Sequence, residues 1–147
     1  MAYVANADIE ERLGSQAYVQ LTDDDGDGVA DVGVVEEARL GAEGEVDSYL
    51  AHRCAVPIDM LAHPELASLL ASITLDLVEC RLRSRRPPIP ADAIRRRAQT
   101  IDWLKGVAEG RMDLPAAVGL AANTTQGTIA ASTGAERVFS RDALSEY

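Results

Sequence analysis

The chain has 147 residues, a formal net charge of −10, and 47% apolar residues of which only one is Phe. That length serves one domain with a real core and is short for two; the palette of Ala, Leu, Val and Ile is helical, and the acidity argues against a free DNA-binding protein. No apolar run approaches the roughly 18 residues that span a membrane, and MAYVANADIEERLG lacks the basic-then-apolar order of a signal peptide.

Asn6 can cap a first helix, with Asp8 and Glu10 in its first turn, where the positive end of the helix dipole favours acids. Gly14 suits its C-terminal end. A short helical stretch, SQAYVQL, precedes an aspartate-rich loop. A long helix then runs from near Val32 to near His52, with Asp31 as its N-cap and Val35, Ala38, Ala42, Val46, Tyr49 and Leu50 on one stripe. Gly41 and Gly44 cost this helix about 1 kcal/mol each relative to Ala, and would let a neighbouring backbone come close. After the connection AHRCAVPIDMLAH, Pro64 opens the clearest helix, PELASLLASITLDLVECRLRSRR, with Leu66, Leu69, Leu70, Ile73, Leu77 and Cys80 on one face. Pro87, Pro88 and Pro90 stop it. A further helix spans roughly Ala91 to Glu109, with Ile94, Ala98, Ile101, Leu104 and Ala108 inward, and Gly110 closes it. The fold class is all-α: a small bundle of four to five helices over residues 1–111, followed by an extended C-terminal arm over residues 112–147. The arm is rich in Ala, Thr and Gly without a sustained period, then regains apolar residues in RVFSRDALSEY. It reads as a segment that orders on a partner through Val138, Phe139, Arg141, Asp142, Leu144 and Tyr147. The commoner alternative is a frayed terminus.

The loop LTDDDGDGVAD places Asp23, Asp25 and Asp27 at positions 1, 3 and 5 of a calcium loop. Gly28 falls at position 6, Val29 at position 7 offers its carbonyl, and Asp31 stands at position 9. Position 12 is Val34, where a calcium loop has a two-oxygen Glu, so a Ca2+ site here is incomplete. The alternative is an Asp/Gly turn that stays in water, and both readings stay open. Charge is also segregated. Residues 1–50 hold 13 acids against Arg12 and Arg39, whereas Arg81, Arg83, Arg85, Arg86, Arg95, Arg96 and Arg97 cluster around the proline turn. Without interleaved aromatics or a nucleic-acid motif, the cluster reads as a contact for the acidic region of an adjacent subunit, or as a solvated face. Cys54 and Cys80 have no metal-type spacing and read as packed thiols. No residues pair into a nucleophile–base set, and HExxH, Gly-rich phosphate loops and GxSxG are absent from the sequence, so no catalytic residue is assigned.

The opening Ala5-x-x-Asp8-Ile9-Glu10-x-Arg12-Leu13-Gly14, the loop LTDDDGDGVAD, the segment Asp47-Ser48-Tyr49-Leu50 and the closing Phe139-Ser140-Arg141-Asp142 occur in an order that resembles the Mu-like phage and prophage head–tail adaptor family. The resemblance covers residues 1 to about 110 and resumes at 137–144; residues 115–135 match no pattern. It implies a non-enzymatic connector in the virion neck, made in the host cytoplasm. Such a connector forms a homo-oligomeric ring, usually of twelve copies, below the portal protein. It joins the portal to the next neck or tail-completion protein, and DNA passes through without specific binding or any membrane contact. The first rival reading is a calcium-dependent protein-binding module of the dockerin or EF-hand type, motivated by the aspartate loop; the second is a nucleic-acid binder that uses the arginine cluster.

Overall fold

The computed structural model describes residues 2–114. Among them are five helices and no strands: α1 (Asn6–Leu13), α2 (Ser15–Thr22), α3 (Val32–Leu50), α4 (Pro64–Ser84) and α5 (Ala91–Ala108). The expected all-α bundle is therefore the observed fold.

Each helix boundary has a local cause. α1 starts one residue earlier than the Asn6 cap predicts. Ala5 is the N-cap; the Asp8 carboxylate reaches back to accept the Ala5 N–H at 2.7 Å, and the Asp8 N–H donates to the Ala5 carbonyl at 3.1 Å. Gly14 ends α1 at φ 79° with its N–H on the Glu10 carbonyl at 2.8 Å, a conformation that favours glycine. Pro64 occupies the first turn of α4, where its missing N–H costs nothing. Asp31 is the N-cap of α3 by position, but its side chain does not cap: it accepts the Asp24 N–H at 2.8 Å.

α3, α4 and α5 pack on one another, and the α1–α2 hairpin lies mainly against α4. The core runs through Val35, Ala42, Val46 and Leu50 of α3, Leu66, Leu70, Ile73 and Leu77 of α4, and Leu104 and Val107 of α5. Each fully buried Leu or Val contributes about 1.5–3 kcal/mol. The stripes predicted for α3 and α4 are the buried ones, with Ala38, Tyr49 and Leu69 at their half-buried edges. α4 is buried on a wider front, because Thr74, Val78, Glu79 and Leu82 are also inside. The stripe predicted for α5 is corrected. Leu104 is buried as expected, Ile101 packs half-buried against the core and Ala108 is half-buried, but Ala93, Thr100 and Val107 take the inner face, while Ile94 is 52% exposed and Ala98 is exposed.

The glycines of α3 also behave differently from expectation. No backbone comes close to Gly41; instead the Arg81 guanidinium lies over it, and an added Cβ would stand 2.9 Å from Arg81 Nη1. An added Cβ at Gly44 would meet nothing within 4 Å. At the other end, Tyr3 is buried and fastens the N-terminal segment. Its hydroxyl accepts the Ile58 N–H at 2.9 Å and donates to Asp47 at 2.5 Å. Burial, then the Asp47 carboxylate, raises its phenol far above the ordinary tyrosine range. After α5 the Arg111 and Met112 N–H groups both reach the Gly106 carbonyl, and Leu114 packs against the core.

Candidate functional site: an arginine-clamped acidic loop

The aspartate loop connects α2 to α3 and organises itself through its own carboxylates. Asp23 accepts the Gly26 N–H at 2.6 Å and the Gly28 N–H at 3.0 Å. These two bonds, Gly26 first, lower its pKa below the ordinary aspartate value. Asp25 accepts the Asp27 N–H at 3.2 Å, and Asp27 accepts the Val29 N–H at 2.7 Å. That bond from Asp27 works to lower the Asp25 pKa. The Asp27 carboxylate, slight desolvation, Asp31 and Asp23 outweigh it and leave the pKa raised. Gly26 and Gly28 sit at φ 80° and 82°, where a Cβ would be strained.

One carboxylate oxygen from each of Asp23, Asp25 and Asp27 lies within 4.8 Å of the others. Those three of the predicted metal residues are brought together. Asp31 is not, because its carboxylate is turned to the Asp24 N–H. Val29 stands 63% exposed at the loop tip. Val34, at the position of the missing Glu, offers no side-chain oxygen. With one oxygen from each of the three, calcium would need further oxygens from second carboxylate atoms, a backbone carbonyl or water to reach the six to eight it takes.

The positive charge that answers this loop comes from the end of α4. Arg85 Nη2 donates to Asp24 at 2.6 Å and its Nη1 to the Leu21 carbonyl at 2.9 Å. Arg86 Nη2 donates to the Asp23 carbonyl at 2.6 Å. Two guanidinium groups thus cover the last carbonyls of α2, the negative end of that helix dipole, and pin the loop to the bundle.

The rest of the arginine cluster is paired in the same chain. Arg81 and Arg97 converge on Glu45 at 2.8 and 2.7 Å. Arg83 and Arg96 each hold one oxygen of Glu79 at 2.8 Å, while Arg12 bonds Asp76 at 2.6 Å. Arg95 bonds Asp92. Burial alone would raise the Glu79 carboxyl, which is 5% exposed; the bonds from Arg83 and Arg96 outweigh it and hold it below the ordinary glutamate value. Each of the seven arginines thus has an acid of the same chain within 4 Å, Arg86 the most distantly, with Asp24 at 3.9 Å. Sequence reasoning missed Glu45, Asp76 and Glu79. Only the Glu79–Arg83 spacing of i,i+4 was there to point to one of them.

Nothing among the described residues assembles a catalytic set. His63 faces Glu65 at 3.3 Å and His52 is exposed. Cys54 and Cys80 are buried free thiols, as expected of packed cysteines. The Cys54 thiol donates to the Leu50 carbonyl, and burial, with Asp47 near it, pushes its pKa up. A cleft of about 250 Å³ between α3 and α4 is lined by Arg81 and Arg85, whose guanidinium groups are engaged with Glu45 and Asp24. No helix of the described residues is long and apolar enough to cross a membrane. The predicted arm residues Val138, Phe139, Arg141, Asp142, Leu144 and Tyr147 lie outside the described residues.

The fold and its ion pairs define a small helical bundle whose loops and helices are tied together by charge. A family model described as Bacteriophage Mu, Gp36 matches residues 3–132, and the chain belongs to that family of Mu-like phage proteins. No curated protein matches the chain.

Proposed function

We propose that this chain is a structural head–tail adaptor without enzymatic activity, a ring-forming connector below the portal that joins head to tail and lets DNA pass. The observation that carries the reading is the family match over residues 3–132, which spans the bundle from Tyr3 to its last described turn and continues into the following segment. The side-chain chemistry supports the same reading. The arginines and their acids hold helices together rather than converging on a substrate, which suits a rigid spacer. With its arginines paired and a net charge of −10, the chain has little to attract a phosphate backbone.

In this mechanism the bundle is the building block and the C-terminal arm is the tether. Phe139, Leu144 and Tyr147 bury their side chains on the portal protein or a neighbour, at about 1.5–3 kcal/mol each when burial is full. The test is co-expression of the chain with its portal protein, full-length and truncated after Asp113, with electron microscopy of the purified complexes. Full-length chain is expected as a ring on the portal. The truncated chain is expected to keep its helical circular dichroism and to stay unattached. A full-length chain that never joins a portal or neck complex overturns the reading; a truncated chain that joins normally removes the arm from it.

A further inference from the structure

α3 and α5 each leave an apolar face that the other described residues do not cover. On α3 the outward face centres on Leu40, 58% exposed, with Val32, 61% exposed, two turns before it. Gly33 and Gly44 lie beside this face, and a Cβ at either would meet nothing within 4 Å. A helical glycine costs about 1 kcal/mol relative to Ala, and at Gly41 the overlying Arg81 explains it. At Gly33 and Gly44 the described fold gives no return for that cost. Glu36 and Glu37 stand exposed on the same face with no ion-pair partner among the described residues.

The outward face of α5 has the opposite complement. Ile94 is 52% exposed beside the exposed Ala91 and Ala98. Arg95 stands next to them with its side chain 69% exposed, and Asp92 of the same helix is its one carboxylate partner among the described residues. α5 therefore carries two apolar stripes, and among the described residues the fully buried one runs through Ala93, Leu104 and Val107.

We infer that copies of this chain associate by laying the α3 face of one, Val32, Glu36 and Leu40 with Gly33 and Gly44, against the α5 face of the next, Ile94, Arg95 and Ala98. The small residues on both sides let the helices approach, Leu40 and Ile94 fill the seam, and Arg95 meets Glu36 and Glu37. α3 against α3 would set glutamates against glutamates, so the contact joins two different surfaces. Such heterologous contacts close into a ring when the rotation between copies permits. The inference rests on the adaptor reading and deepens it, because it supplies the seam between copies that the internally paired arginines do not.

The test uses full-length Leu40→Cys and Ile94→Cys variants, purified separately; the native Cys54 and Cys80 are buried and stay out of the chemistry. They are oxidised mildly, mixed and unmixed, free and in the presence of the portal protein. The expected result is a disulfide-linked dimer from the mixture well above the yield of either variant alone. Glu36→Arg should suppress it and pairing Glu36→Arg with Arg95→Glu on the other chain should restore it. Equal dimer from single variants, or no dimer in the mixture even on the portal, overturns the inference. Portal joining without the mixed dimer leaves the adaptor reading standing and sinks the seam; the mixed dimer without portal joining does the reverse.

Discussion

Replacing Glu79 by Gln should show how much of this bundle is held by charge. Glu79 is 5% exposed, and its two oxygens accept from Arg83 Nε and Arg96 Nη2, both at 2.8 Å. A hydrogen bond to a charged group contributes about 1.5–3 kcal/mol. The arginine side chains are 27% and 38% exposed, so water recovers part of that on their side. The expected loss for Glu79→Gln is about 1.5–3 kcal/mol, half of the gross value of the two bonds. Urea unfolding followed by far-ultraviolet circular dichroism at neutral pH reads it directly. The pH dependence gives a second check. The folded carboxyl lies below the ordinary glutamate value of 4.5, so its contribution is complete above that value and is lost as pH falls through the depressed one. The gap between wild type and variant should therefore be constant near neutrality and shrink on acidification below about pH 4. A loss under about 0.5 kcal/mol at pH 7, the size of an ordinary surface change, would refute the reasoning. So would a gap that ignores acid.

Three further outcomes follow from named contacts. Gly44→Ala adds a methyl group to open space and should stabilise the free chain by up to about 1 kcal/mol in calorimetry, while weakening the copy–copy cross-link if α3 forms the seam; destabilisation would mean that Gly44 is packed. Tyr3→Phe removes the acceptor of the Ile58 N–H, so hydrogen exchange at Ile58 should speed up and stability fall by about 1–3 kcal/mol. Unchanged exchange would show that the N-terminal segment is not fastened there. With three clustered carboxylates and Arg85 beside them, the aspartate loop should hold calcium no more tightly than the millimolar range in titration calorimetry, and calcium retained at submicromolar concentration would show that ligands beyond Asp23, Asp25 and Asp27 complete the site.

The helices were legible because their signals are local. Pro64, the apolar spacing through Leu66, Leu70, Ile73 and Leu77, and the prolines from Pro87 onward fix α4 within its own sequence. Gly14 does the same for the break between α1 and α2. The register of α5 was not legible, because apolar residues occupy two phases of that helix. Ile94, Ala98 and Ile101 make one stripe; Ala93, Leu104 and Val107 make another. Periodicity admits both, and contact with α3 and α4 decides between them. The Asn6 cap failed because the helix start closes without a side-chain acceptor at the N-cap: Asp8 accepts the Ala5 N–H with its carboxylate and donates its own N–H to the Ala5 carbonyl.

The acidic loop and the arginine cluster were both visible as sequence features, but their relation was not. Glu45 and Arg97 are 52 residues apart, and Asp24 and Arg85 are 61 apart; no pattern along the chain joins them. Segregated charge has two solutions: opposite faces that attract another copy, or a fold that brings the two segments together. Here the α2–α3 loop returns to the end of α4, so Asp24 meets Arg85 within the chain. The net charge of −10 then falls to acids left outside these pairs, Glu36 and Glu37 among them. Beyond about 8 Å at physiological salt an exposed acid is largely screened. The exposed acids therefore act on other molecules at contact range.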